Sequence, residues 1–348
     1  MILRSKTKEI SRRSPGLVVE TPVRPSTGPS HQKRTRTTSS PTKLGIPPKA
    51  SSVGGQGSPQ RTRKLKIQTS FMTESPFPHH PHPTPAEALE VHDLLAATHR
   101  PNAPVVRPPP RETSNSAQTC GDVPNVIEAV IGTILSQNTS RINSTRAKRG
   151  LDEAFGRNNF EAIASAPKEV VLDAIRTGGL ANKKAGMIQG LLRAVKERHG
   201  LYSLQHLAGD HNSLALRDDQ IMEELLSYNG VGPKTASCVL LFCLGRNSFA
   251  VDTHVYRLSH LLGWVPSKAD RVLAQAHLDL RVPAELKYGL HVLMIQHGRI
   301  CRGCKKAGSG VDCVLKDYLR RRKVKTEEDI DHRLKEASQM EMRMEGPA

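Results

Sequence analysis

The most informative segment of the chain reads Leu225-Leu226-Ser227-Tyr228-Asn229-Gly230-Val231-Gly232-Pro233-Lys234-Thr235-Ala236. An apolar helix runs into Gly-Val-Gly, and a new helix starts at once. Two glycines one residue apart permit a sharp turn with positive φ and no Cβ in the way. The turn and the free N–H groups of the second helix then face outward and form a phosphate-binding surface. Val231 is expected to point inward and pin the two helices together. A contact of this kind touches only the backbone of a nucleic acid and carries no sequence information.

Lys234 stands at the start of the second helix. The positive end of the helix dipole disfavours a charged ammonium there. An unperturbed lysine titrates at about 10.4 and is a poor nucleophile at neutral pH. Partial desolvation in a cleft would lower that value. Such a lysine can attack a sugar carbon and form a Schiff base. The same spacing also suits a lysine that only binds phosphate. Eighteen residues on comes Phe249-Ala250-Val251-Asp252-Thr253-His254-Val255-Tyr256-Arg257. Asp252 and Thr253 form an N-cap signature. Asp252 is either a simple cap or a carboxylate facing the cleft of Lys234, where it would stabilise an oxocarbenium ion or deprotonate the nucleophile.

Outward from this centre the pattern stays helical. Val126, Ile127, Val130, Ile131, Ile134 and Leu135 recur at helical spacing, as do Met187, Ile188, Leu191, Leu192 and Val195. Segments near 220–228, 234–244, 253–263, 270–276 and 284–297 read the same way. Thr84-Pro85 before Leu89, Val91, Leu94 and Leu95 predicts a capped helix with proline at its first position. Residues 99–121 carry five prolines and read as a linker. With almost no alternating β pattern, the expected fold class is all-α.

Composition narrows the partners. Lys and Arg total 51 against 33 Asp and Glu, a formal charge of +18 that favours a polyanion. Residues 1–80 hold 15 basic and 3 acidic residues, a net of +12, which leaves +6 for 81–348. The first 85 residues also hold 13 of the 24 prolines and few large apolar side chains, so 1–85 reads as a disordered basic tail. Lys33, Arg34 and Arg36, and Arg61, Arg63, Lys64 and Lys66, read as nuclear-import or DNA-contacting clusters. The nucleus is the expected compartment, and the first 15 residues would also suit a mitochondrial presequence. The aromatic content of 3% argues against a stacking platform of the RNA-recognition type. The longest apolar run, Cys238 to Leu244, is far short of the roughly 20 residues of a membrane span.

Gly230-Val231-Gly232-Pro233-Lys234-Thr235-Ala236 followed by Val251-Asp252-Thr253-His254 resembles the helix-hairpin-helix DNA glycosylases, in particular their endonuclease III branch. Ile134-Leu135-Ser136-Gln137-Asn138-Thr139-Ser140 and Gly179-Leu180-Ala181-Asn182-Lys183-Lys184-Ala185 match two further motifs of that branch. The resemblance spans about 118–320. It implies a two-lobed all-α domain over 86–320, one lobe at 118–250 with the hairpin and the other at 86–98 plus 253–320. The charged tail at 321–348, rich in both signs, reads on its composition as a solvated helix that frays to disorder. It implies Lys234 as nucleophile and Asp252 as essential acid. Gln137 matches a residue that fills the space left by a flipped base. Leu180 matches a wedge in the duplex. By residue type alone, Gln137 would be a capping or surface amide and Leu180 a core leucine. Gly230, Val231, Gly232, Thr235 and His254 would contact DNA, and His254 and Arg257, one turn apart, would have a structural or phosphate role. The implied activity is a monomeric bifunctional glycosylase and AP lyase on double-stranded DNA, acting on oxidised pyrimidines. The competing reading is a hairpin DNA-binding protein that has lost its chemistry.

The C-terminal cysteines depart from the branch. Its pattern C-x6-C-x2-C-x5-C binds a [4Fe–4S] cluster, whereas here Cys301-x2-Cys304-x8-Cys313 follows His297-Gly298-Arg299-Ile300. With Cys313 in the third position, the fourth falls on Leu319, which cannot ligate. An intact cluster is therefore not expected. A degenerate loop with free cysteines is expected, with a zinc site of Cys301, Cys304, Cys313 and His297 as the alternative. The chemistry itself requires no cofactor in this reading.

Overall fold

The computed structural model describes residues 70–99, 106–209, 216–305 and 312–324, together with 67, 328, 332, 335 and 336. Every regular element among the described residues is helical. None of these helices is long and apolar enough to cross a membrane.

The first hydrophobic core gathers residues from Ala117 to Cys243 around helix α2, Val126–Ser136. The ten residues Val126–Leu135 are all buried, which is why this helix reads as apolar on every side. Asn125 caps it by accepting from Glu128 N. Around it pack α3 (Arg141–Phe155), α4 (Phe160–Ser165), α5 (Lys168–Ala174), α6 (Ala181–His199), α7 (Asp218–Ser227) and α8 (Pro233–Cys238). Glycine ends α3 at Gly156 and α6 at Gly200, each with positive φ. The buried carboxylate of Glu128 is compensated by Lys148 at 3.0 Å and Arg157 at 2.9 Å, tying α2 to α3.

The second core joins distant parts of the chain. Helix α1, Pro85–His99, contributes Ala88, Val91, Leu95 and Ala96. It meets α9 (Thr253–Leu261), α10 (Arg271–Arg281), α11 (Lys287–Ile300) and a final helix, α12, over 314–324. Thr84 and Glu87 close a capping box at the start of α1: Glu87 N donates to Thr84 Oγ1 (3.2 Å), and Thr84 N donates to Glu87 Oε2 (2.8 Å). A small apolar group of Cys238, Leu241, Phe242, Ala250 and Tyr288 lies where the two halves of the chain meet.

Two expectations are corrected. Order was expected to begin near Pro85, but 70–85 already packs on the second core. Phe77 lies against that core, Ser75 Oγ is 2.6 Å from His277 Nδ1, and His80 Nε2 is 3.0 Å from Gly263 O. The prolines there shape the path, while the histidines and Phe77 supply the contacts. Into the charged tail the chain is helical, with α12 running to 324 and Arg322 pairing with Glu87. The helix expected over 234–244 is α-helical only to Cys238 and then widens into a π turn, Val239–Cys243. The basic clusters at 33–36 and 61–66 lie outside the described residues.

Candidate active site and cysteine cluster

The hairpin joins α7 to α8. Gly230 adopts φ +91°, and a Cβ there would come within 2.9 Å of Met187 Cγ, so the turn requires glycine twice over. Gly232 differs from the expectation of a second positive φ: its backbone is extended (φ −108°, ψ 174°). A Cβ at Gly232 would meet nothing within 4 Å. Its smallness therefore serves no contact inside the described residues. Val231 is buried in the first core, as its inward reading requires. Gln137 closes the back of the hairpin, with Nε2 donating to Gly230 O (3.1 Å) and Thr235 Oγ1 (3.2 Å).

Lys234 is half-buried in the first turn of α8. Its ammonium points at Cys120 Sγ, 4.0 Å away. Cys120 is held in the left-handed region at φ +59°, an uncommon place for a residue with a Cβ. Burial opposes the charge on Lys234, but Cys120, Cys238 and Asp252 outweigh it, so its pKa is raised rather than lowered. This reverses the expectation from dipole and desolvation. A hydrogen bond from the Cys238 thiol holds Cys120 well below the usual thiol range, against burial and with help from Lys234. Asp252 caps α9: one oxygen, Oδ1, accepts from His254 N and Val255 N, both at 2.8 Å. His291 adds a fully buried imidazole whose Nδ1 lies 2.8 Å from Ala250 O and whose Nε2 has no partner among the described residues.

Leu180 is 55% exposed and left-handed (φ +51°), directly after Gly179 at φ +66°. It is a projecting side chain and not the core leucine its type allowed. Beneath it, buried Lys184 donates to Leu135 O (2.7 Å) and Gly178 O (2.9 Å), pinning the loop to the end of α2.

The structure brings His297, Cys301, Cys304 and Cys313 together. One donor atom from each lies within 4.8 Å of all the others, a group of the size that can hold a metal ion. His297 is 2% exposed, and Cys304 and Cys313 are buried. His297 Nδ1 lies 3.0 Å from His99 Nε2, and its Nε2 lies 3.6 Å from Cys313 Sγ. Helix α9 packs beside this group. Gly298 lets it approach, since a Cβ there would come within 2.7 Å of His254 Cβ. Arg257 donates to Cys304 O and Gly298 O. His254 and Arg257 are thus engaged inside the protein, with α11 and the cysteine loop.

A profile of the family described as HhH-GPD superfamily base excision DNA repair protein matches residues 131–283. A putative DNA glycosylase, At3g47830 of Arabidopsis thaliana, is 41% identical over 182 residues, 52% of this chain and 59% of that protein's length. Endonuclease III of Sulfolobus acidocaldarius is 31% identical over 206 residues, 59% of this chain and 86% of that protein. The chain belongs to the HhH-GPD superfamily, in its endonuclease III branch. The DNA glycosylase/AP lyase ROS1 of A. thaliana is similar too, 30% identical over 175 residues, 43% of this chain and 12% of that protein. The HhH-GPD match contains Gln137, Leu180, the hairpin, Lys234, Asp252 and His254, and stops short of the three clustered cysteines.

Sequence reasoning missed Cys120, Lys184, Cys238, His291 and His99. Cys120 lies 114 residues from Lys234, and His99 lies 198 from His297. No local pattern marks either pairing. The motif Gly179–Ala185 already contained Lys184, but only its burial shows that it holds the loop.

Proposed function

We propose that this HhH-GPD protein is a bifunctional DNA glycosylase and AP lyase that removes oxidised pyrimidines from double-stranded DNA. The observation that carries the reading is a lysine in the first turn after the Gly-Val-Gly hairpin, with Cys120, Cys238 and Asp252 close enough to set its charge. A glycosylase that activates water has no need of an amine there. The AP lyase in the name of ROS1 supports the same reading.

The damaged nucleotide leaves the stack, because its anomeric carbon is inaccessible within it. Leu180 would enter the duplex, and Gln137 the gap behind the extruded base. Lys234 gives up its proton to water, against Cys120, Cys238 and Asp252, which favour its ammonium form. The Nζ lone pair forms a bond to C1′ as the glycosidic bond breaks and its electron pair leaves with the base. Asp252 balances the positive charge that develops on the sugar. Ring opening gives an imine. Loss of a C2′ proton expels the 3′ phosphate and nicks the strand, and water releases Lys234. No step of this scheme draws on a metal. We assign the protein to the nucleus, on its basic N-terminal clusters, and to action as a monomer.

Borohydride trapping on a duplex with one abasic site tests the reading. Wild type is expected to form a covalent complex, Lys234→Ala none, and Asp252→Asn a reduced amount. The absence of a wild-type complex, with duplex binding intact, would leave a DNA-binding protein without lyase chemistry.

A further inference from the structure

The cluster implied by the branch takes four thiolates, and from residue 297 to the end this chain holds three cysteines. Geometry separates the alternatives further. In a cubane each thiolate binds a different iron and points outward, so the sulfurs stand on the order of 6 Å apart. Ligands around one tetrahedral ion, with Zn–S bonds near 2.3 Å, stand about 3.8 Å apart. Here all four donor atoms lie within 4.8 Å of one another. The donor set does not fit a [4Fe–4S] cluster, and it fits a single ion.

We propose that His297, Cys301, Cys304 and Cys313 hold one structural zinc ion in a closed Cys3His site. Imidazole and thiolate donors favour zinc over magnesium or calcium. The surrounding contacts are those a zinc site uses to orient its ligands. His99 takes the Nδ1 side of His297, which directs Nε2 at the cysteines. Arg257 fixes the carbonyls of Gly298 and Cys304 on either side. Four protein ligands leave no open position, so the ion would bind no substrate. It would clamp the end of α11, the turn at 301–304 and the start of α12, and through His99 it would reach the end of α1. The second core would then be closed by a metal of a different kind from the branch's cluster.

Full-length protein, purified under reducing conditions, is analysed for zinc, iron and acid-labile sulfide, then stripped and titrated with Co(II). About one zinc per chain is expected, with iron and sulfide well below one, and tetrahedral thiolate-rich cobalt bands in the visible. Cys304→Ala is expected to lose both the zinc and the bands. Because that variant can fail by unfolding, His297→Cys provides a second arm: it should keep one metal per chain while its cobalt bands move to lower energy. Iron with matching sulfide would overturn the proposal. So would a wild-type chain that binds neither zinc nor cobalt, cobalt bands unmoved in His297→Cys, or zinc fully retained in Cys304→Ala. None of these readouts passes through Lys234, so they are independent of the lyase reading.

Discussion

Lys234 sits where two effects oppose each other. Burial favours the neutral amine, and the sulfurs and Asp252 favour the ammonium. The sequence showed the lysine and its aspartate, and it suggested the wrong sign for the shift. The missing partner was Cys120, brought to 4.0 Å by a loop far away in the chain. Negative charge on that sulfur would outweigh a helix end, whose effect is equivalent to about half a charge. Replacing the sulfur by a hydroxyl would remove the largest influence that favours the ammonium. Cys120→Ser is therefore expected to move the rising limb of the trapping rate against pH to lower pH, by about one unit or more. A limb that stays in place would show that Cys120 does not control the lysine.

At the scale of elements, the hairpin separates two jobs that the sequence presented as one. Gly230 is required by its own backbone and by Met187, whereas Gly232 is required by neither. Gly230→Ala is expected to destabilise the fold by about 1–3 kcal/mol, seen as a Tm lower by several degrees. Gly232→Ala should melt within about 1 kcal/mol of wild type, since a Cβ fits its extended backbone. Its duplex affinity should nonetheless fall, because the side chain occupies the space a phosphate backbone would approach. Normal affinity in Gly232→Ala would remove the hairpin from the DNA interface. Helix boundaries followed the same division. The cap at Asn125, the box at Thr84 and Glu87, and the ends at Gly156 and Gly200 obey local rules. The π turn after Cys238 does not, because Leu241 and Phe242 must face the small apolar group shared by the two halves.

At the scale of the molecule, charge and core are divided along the chain. The +12 of residues 1–80 lies almost wholly ahead of the apolar sequence. Deleting 1–66 is expected to weaken duplex binding and to flatten its dependence on salt, because fewer counterions are released. It should leave borohydride trapping at saturating DNA unchanged. An unaltered salt slope would mean that the arm does not meet DNA. Local signals in the sequence determined the helical class, the hairpin, the lysine–aspartate pair and the shortage of a fourth cysteine. Helical period, glycine and caps act over a few residues and can be read from neighbours alone. Only the tertiary structure placed Cys120 on Lys234, exposed Leu180 over a buried Lys184, and set His99 against His297 beside the three cysteines. The Cys120–Lys234 and His99–His297 pairings join residues 114 and 198 apart in the chain, and they are fixed by how the two cores pack.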